Sequence, residues 1–443
     1  MTRPRPRGAL WLLNHFAARS FEVPMLRRAG VTEVFAPKSF PAGPNFRSAD
    51  VDWDLDATLS IPADDLALLN AVDWYGQIPA AAWAVANRHF DLAFFAPASP
   101  MLLSQLRGSF GGAVILRAYG QLQTTSYSLM LRHHWRDGDV DVAELGRRFW
   151  FGAAYAALAE AEDALLARRQ LYLPLGLADP GSRDDWQGSD ARVLFVCPDI
   201  AINTYYREIH RRFRADFPGL PHWIAGAQSQ PLDDPAVLGF LPRQEFEQHL
   251  RRARAMFYHS TEPRHVHYHP FEAVRAGLPL VFMAGGLLDR LGGKALPGRC
   301  RSVAEARRLL NRLLAGDRRL AERLRSSQRR LLEPMSPEAC APHWQTGIAR
   351  VLDELDRSHA QAAKAPRRTR RIAVILPQPY RGGTLRGSKA IAAALVAGAA
   401  AAGTGIEVVL AHLDMPELYR EEDFADLPPG VTARPYRWGH LAP

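Results

Sequence analysis

The sequence predicts an α/β protein: two parallel sheets facing a cleft, with the start of a further α/β module at the C-terminus. Three observations predict it. Short apolar runs alternate with helical patterns, a Pro/Gly-rich crossing (LYLPLGLADP) divides that alternation, and a basic stretch (AQAAKAPRRTRR) precedes a third segment. At 443 residues the chain has room for two to three domains with separate cores. The boundaries read as 1–172, 173–358, a linker at 359–370, and 371–443.

In the first segment Ala9–Leu13 reads as a strand, Ser20–Ala29 as a helix and Val31–Pro37 as a second strand. Asp91–Ala96 and Ala113–Leu116 are apolar enough for further buried strands. Two polar stretches that follow strands, Asn14-His15 and Arg117-Ala118-Tyr119-Gly120, read as loops that could meet an acceptor. Gly146–Arg169, rich in Ala, predicts one long helix carrying Glu160, Glu162 and Asp163. In the second segment Arg192–Cys197 opens a new sheet, IAINTYYREIHRRF reads as a helix, and His222–Gly226 and Ala236–Phe240 add strands. Arg301–Asp356 is largely helical, and Trp344–Leu355 is expected to fold back on the first domain. Beyond the linker, Arg371–Pro377 starts a strand, a Gly-rich turn, a helix and another strand.

Composition excludes several classes. Hydrophobic residues are 47% and charged ones 23%, ordinary globular usage. No apolar run has transmembrane length; Ala390–Ala402 is Ala-rich but short. The basic and then briefly apolar opening, MTRPRPRGALWLL, lacks the apolar core of a secretory signal and reads as the first strand. Cys197, Cys300 and Cys340 lack metal or disulfide spacing, which points to a reducing, cytoplasmic location. The net charge of +9 suits anionic substrates or the inner face of a membrane. No helix-turn-helix, zinc or RNA-binding pattern accompanies it, so nucleic acid is not the expected partner.

Residues 252–283 are the densest in chemistry. Ala255–His259 reads as a strand running into the turn Ser260, Thr261, Glu262, Pro263. Phe271–Ala276 is a short helix stopped by Gly277 and Pro279, and Leu278–Met283 is a covered strand. His265, His267 and His269 therefore lie with Glu262 and Glu272 at the carboxyl end of a strand and the amino end of a helix. Ligands bind there in open α/β sheets, and free N–H groups favour phosphate.

This unit resembles the donor half of the GT-B glycosyltransferases, built from two Rossmann-like domains. The widespread retaining family carries Glu-x7-Glu, then Ala, Gly-x-Pro and an apolar strand. Here Glu262 and Glu272 stand two residues further apart, followed by Ala273, Gly277 and Pro279. The resemblance implies that Glu272 grips a ribose hydroxyl of the nucleotide. His269-Pro270 resembles the His-Pro pair of transferases that use CMP-sugars, where the His and the following helix hold the phosphate. Gln230-Pro231 resembles a Gln-Pro motif of capsule Kdo-transferases. Together with the tandem layout, this implies a retaining β-Kdo transferase module of a multi-domain enzyme building a lipopolysaccharide O-antigen or capsule. A Glu-x7-Glu-type transferase using a UDP- or GDP-sugar, a nucleotide-sugar epimerase and a non-catalytic scaffold remain alternatives.

Transfer needs a nucleotide grip, donors for the leaving phosphate and help for the acceptor hydroxyl. For nucleotide binding the candidates are Arg207, Ser260, Thr261, His267, His269, Pro270 and Glu272; for catalysis, Asp233, Asp234 and Glu160. Asp233 or Asp234 could act as nucleophile in a double displacement, and Glu160 or Glu162 as acid or base. No cofactor or metal is expected: Asp52-Trp-Asp54, Asp54-Leu-Asp56 and Asp137-Gly-Asp139 sit in turn-like stretches, and the three His share one short loop. The partners implied are a nucleotide-activated sugar and a lipid-linked or oligosaccharide acceptor, with peripheral contact at the inner membrane.

Overall fold

A computed structural model describes residues 5–436 apart from 14, 43–45, 47–48, 97–99, 123, 135–141, 182, 365–369, 377–381, 403, 415–416 and 418. The chain forms two units, 1–355 and 356–443. The first contains two six-stranded parallel sheets.

In the first sheet the strands are β1 (Arg7–Leu12), β2 (Val31–Phe35), β3 (Leu92–Phe95), β4 (Ala113–Ala118), β5 (Phe149–Ala153) and β6 (Gln170–Tyr172). Their order is β2-β1-β3-β4-β5-β6. In the second they are β7 (Asp190–Val196), β8 (His222–Ala225), β9 (Val237–Gly239), β10 (Ala253–Tyr258), β11 (Leu280–Met283) and β12 (Arg299–Cys300), in the order β12-β11-β10-β7-β8-β9. Both sheets are thus doubly wound, with switch points between β1 and β3 and between β7 and β10. Strand interiors such as Leu92–Phe95 and Ala113–Ala118 are buried throughout, as parallel strands covered on both faces must be. The two parallel α/β sheets expected from the sequence are thus both present in the first unit.

The region expected as one long helix, Gly146–Arg169, folds differently. Phe149–Ala153 is β5, wholly buried; a 3-10 turn (Ala156–Ala161) and a five-residue helix (Ala164–Arg168) lead into β6. Phe149, Trp150 and Phe151 gain more by entering the sheet than the neighbouring alanines gain from helix propensity. Arg117 and Ala118, expected in a loop, complete β4.

Helix Pro337–Lys364 returns to the first sheet, where Trp344 packs with Trp11 and Phe94 and its indole N–H donates to the Pro174 carbonyl at 3.0 Å. The helix runs to Lys364, through the first half of the stretch expected as linker. The second unit holds β13 (Arg370–Ile375), β14 (Ile406–Leu413) and β15 (Val431–Tyr436) in one parallel sheet, with helix Gly383–Ala401 between the first two. Among the described residues no helix is long and apolar enough to cross a membrane.

Candidate functional site

Loops leaving the two switch points meet inside the first unit. From the first sheet, β1 delivers His15 to the start of helix Phe16–Arg28. From the second, β10 delivers the His-rich loop to helix His269–Ala276, whose Pro270 occupies its first turn and whose Gly277 closes it at φ +77°. A cavity of about 600 Å³ lies there. His15, Phe16, Ser20 and Asp50 line it from one half; Phe240, Arg243, Tyr268, Glu272 and Arg275 line it from the other.

His15 stacks on Tyr268 with ring centroids 5.6 Å apart. Its Nδ1 is buried without a protein partner, and burial lowers its pKa, so the imidazole is neutral at pH 7. Phe240 is 70% exposed, an apolar ring left open at the cavity. Arg243 reaches across, its guanidinium 5.8 Å from the Phe16 ring. Burial raises the Glu272 pKa against the pull of Arg275 and Arg243. The site combines an open aromatic face, three guanidinium groups (Arg183, Arg243, Arg275), four carboxyls (Asp50, Asp179, Glu247, Glu272) and a neutral imidazole.

The histidines of the loop pack on one another. Ring centroids are 4.4 Å apart for His265 and His267 and 5.2 Å for His267 and His269. His267 Nδ1 lies 3.2 Å from the Tyr258 hydroxyl and Nε2 lies 3.4 Å from that of Tyr206. Burial pushes His259 and His265 down to about 4 and His269 to about 3, and holds His267 well below the usual range. All four are therefore uncharged at neutral pH. Among the described residues no group of three or more His, Cys, Asp or Glu is arranged to hold a metal.

The same loop locks onto the first half. Arg264 donates to the carbonyls of Leu122 (3.2 Å) and Thr125 (3.1 Å), and Gln121 N–H donates to the Arg264 carbonyl at 3.3 Å. Gly120 makes that approach possible: at φ +137° a Cβ would sit 2.8 Å from the Arg264 carbonyl oxygen.

Of the nucleotide-binding candidates, Glu272 lines the cavity; His269 and Pro270 begin the helix that carries it and His267 packs on His269, but these three are not among the lining residues. Ser260 is buried, its hydroxyl accepting the Glu262 N–H at 3.3 Å, while Thr261 is exposed. Both line a separate 250 Å³ slot with Tyr205 and His259. Arg207 is exposed and donates to the Ala201 carbonyl in the segment just before its own helix.

The catalytic candidates are not brought to the cavity. Asp234 accepts the Ala236 N–H at 2.9 Å and lies 3.6 Å from Arg214 and 3.8 Å from His210, both on helix Thr204–Asp216. Asp233 beside it is exposed, as expected of a turn-forming Asp-Asp-Pro. Glu160 is exposed on its 3-10 turn, while Glu162 accepts the Tyr127 and Ser128 N–H groups at the start of helix Tyr127–His134. Of the Asp-x-Asp pairs, Asp52 lies 3.4 Å from Arg19 and Asp56 2.7 Å from Lys38. Asp137 and Asp139 lie outside the described residues.

Phe240, Arg243 and Arg275 escaped the sequence reading. The signal available was Gly239-Phe240-Leu241-Pro242-Arg243, an aromatic between a strand-ending Gly and a Pro that starts a helix.

No protein-family model and no curated protein sequence matches this chain. Solved structures do resemble it. The calicheamicin glycosyltransferase CalG4 is 20% identical, with 79% of this chain and all of that one covered and a TM-score of 0.35. HepE of Anabaena, in complex with UDP-glucose, is 13% identical over 78% and 99% of the two chains, TM-score 0.48. An α,α-trehalose 6-phosphate synthase from Burkholderia multivorans is 10% identical over 82% and 100%, TM-score 0.47. At these scores the likenesses carry no weight for chemistry.

Proposed function

We propose that the protein is a glycosyltransferase that moves a sugar from a nucleotide-activated donor to an acceptor hydroxyl. The observation that carries this reading is the shared cavity at two switch points, where His15 faces Phe240, Arg243, Glu272 and Arg275. The open Phe240 ring suits a nucleobase face, Glu272 a ribose hydroxyl, and Arg243 with the amino end of helix His269–Ala276 the phosphates. Neutral His15 takes the acceptor proton as its oxygen attacks the anomeric carbon and the bond to phosphate breaks. The nucleotide leaves with the electron pair, and Arg243 offsets its charge. We favour direct displacement over a double displacement through Asp233 or Asp234: neither acid lines this cavity, and Asp234 lies beside His210 and Arg214 of helix Thr204–Asp216. His269-Pro270 supports CMP-Kdo as donor, with a bacterial surface polysaccharide as acceptor at the inner face of the membrane.

The test is the melting temperature with CMP, UDP, GDP and their sugars. A ligand at a hundred times its Kd stabilises by about 2.7 kcal/mol, enough to read. A shift with CMP alone supports the Kdo reading; one with UDP or GDP overturns that donor but keeps the class. No shift with any nucleotide overturns the class and leaves a non-catalytic scaffold. With the donor in hand, His15→Asn lowers kcat by about 100-fold or more at unchanged nucleotide Kd.

A further inference from the structure

The surplus charge of this chain is confined to one place. Residues 1–298 carry 31 Lys or Arg and 31 Asp or Glu, a balance of zero. Residues 299–330 carry 11 Arg, no Lys and 3 acids, so they hold +8 of the chain's +9. This segment folds as helix Val303–Leu314, a turn through Ala315, Gly316 and Asp317, and helix Arg318–Gln328.

Both helices are committed on their apolar sides. Ala306, Leu310, Leu313, Leu320, Ala321 and Leu324 are buried in the core on one face of the second sheet. The arginines are left outward: Arg301, Arg307, Arg308, Arg312, Arg318, Arg319 and Arg323 are all exposed. Arg312 pairs with Asp317 at 2.6 Å, and Arg307 bonds the Asp216 carbonyl. Arg301, Arg308, Arg318, Arg319 and Arg323 have no carboxylate within ion-pair distance among the described residues. Like charges held together cost free energy unless a partner offsets them.

We infer that this two-helix face docks on an anionic lipid surface. The chemistry of the segment selects that partner. It contains no Phe, Trp, Tyr or His, so it offers no ring on which nucleic-acid bases could stack. None of the large exposed hydrophobics belongs to it, so it adheres to headgroups without inserting. Two adjacent helices of about 18 and 16 Å, at 1.5 Å per residue, spread guanidinium groups over an area instead of along a groove. An area of fixed positive charge matches a plane of anionic headgroups, each basic residue near the surface adding to the attraction. The inference does not depend on glycosyl transfer, since the charge stands apart from the cavity residues.

The test is co-sedimentation of the full chain with phosphatidylcholine vesicles, with and without phosphatidylglycerol. The expected result is binding only to the anionic vesicles, weakened by salt. Changing Arg301, Arg308, Arg318, Arg319 and Arg323 to Gln lowers that binding by about 3,000-fold, at roughly fivefold per arginine. A matched variant with five exposed arginines of residues 1–298 changed to Gln controls for net charge, and melting curves of both confirm folding. Equal loss in the two variants overturns the assignment in favour of general charge. Unchanged binding in the first variant, or binding to duplex DNA in preference to the anionic vesicles, overturns it outright.

Discussion

The two halves of the cleft bury polar groups in opposite ways. On the first sheet a full charge pair is enclosed: Glu22 and Arg117 are both inaccessible, with Arg117 Nε 2.7 Å from Glu22 Oε1. Trp11 N–H donates to the other Glu22 oxygen at 3.0 Å, Arg117 Nη1 donates to the Gly152 carbonyl at 2.9 Å, and the guanidinium lies over Tyr119 and Trp344. On the second sheet the enclosed groups are titratable but uncharged, four histidines whose pKa values burial depresses. A paired charge depends on its partner and is indifferent to moderate pH. A neutral histidine cluster depends on pH and is less sensitive to any single partner. The first half is thus fragile to mutation and the second to acid.

The largest effect should come from breaking the pair. Glu22→Gln leaves the Arg117 charge buried without an anion, a loss of about 3–5 kcal/mol in urea unfolding. The double change Glu22→Leu with Arg117→Met removes both charges and restores most of that stability; if it does not, the pair holds more than itself.

Acid probes the other half. The folded pKa values of His259, His265 and His269, about 4, 4 and 3, lie below the usual 6.5, so the unfolded chain binds more protons beneath pH 6.5. Stability is full above pH 6.5 and falls as pH drops toward 4, by an order of 3 kcal/mol for each histidine kept neutral. Unfolding curves across that range check it. His269→Gln should flatten the slope, whereas Glu22→Gln should shift the whole curve without changing it.

The smallest effects sharpen the border of the site. Phe240→Ala removes the open ring from the cavity and should weaken nucleotide binding by roughly fivefold, about 1 kcal/mol, with stability unchanged. Asp233→Asn, on an exposed turn, should alter nucleotide Kd and turnover less than about twofold. Calorimetry on the two variants separates a residue in the cavity from one beside it.

Legibility followed the same division. The strand Leu280–Met283, flanked by Pro and Gly, was readable because a continuous apolar run of that kind demands a covered sheet. The segment around Phe149–Ala153 was not, because its alanines carry a helix signal that only the waiting gap between β4 and β6 overrides. Glu272 and His15 were visible as polar residues at strand-to-helix junctions. Asp234 was visible as an acid in the loop before a strand; in the fold it lies 3.6 Å from Arg214.

The sequence by itself determined the α/β class, the division into successive parallel sheets and the chemistry concentrated after β10. These depend on local pattern: apolar run length, turn residues and residue type at a strand end. Tertiary structure alone decided which carboxylates face the cavity, which histidines are neutral, and that Phe240, Arg243 and His15 share one space. Those outcomes depend on strand order and on desolvation by residues distant in the chain, which local pattern does not encode.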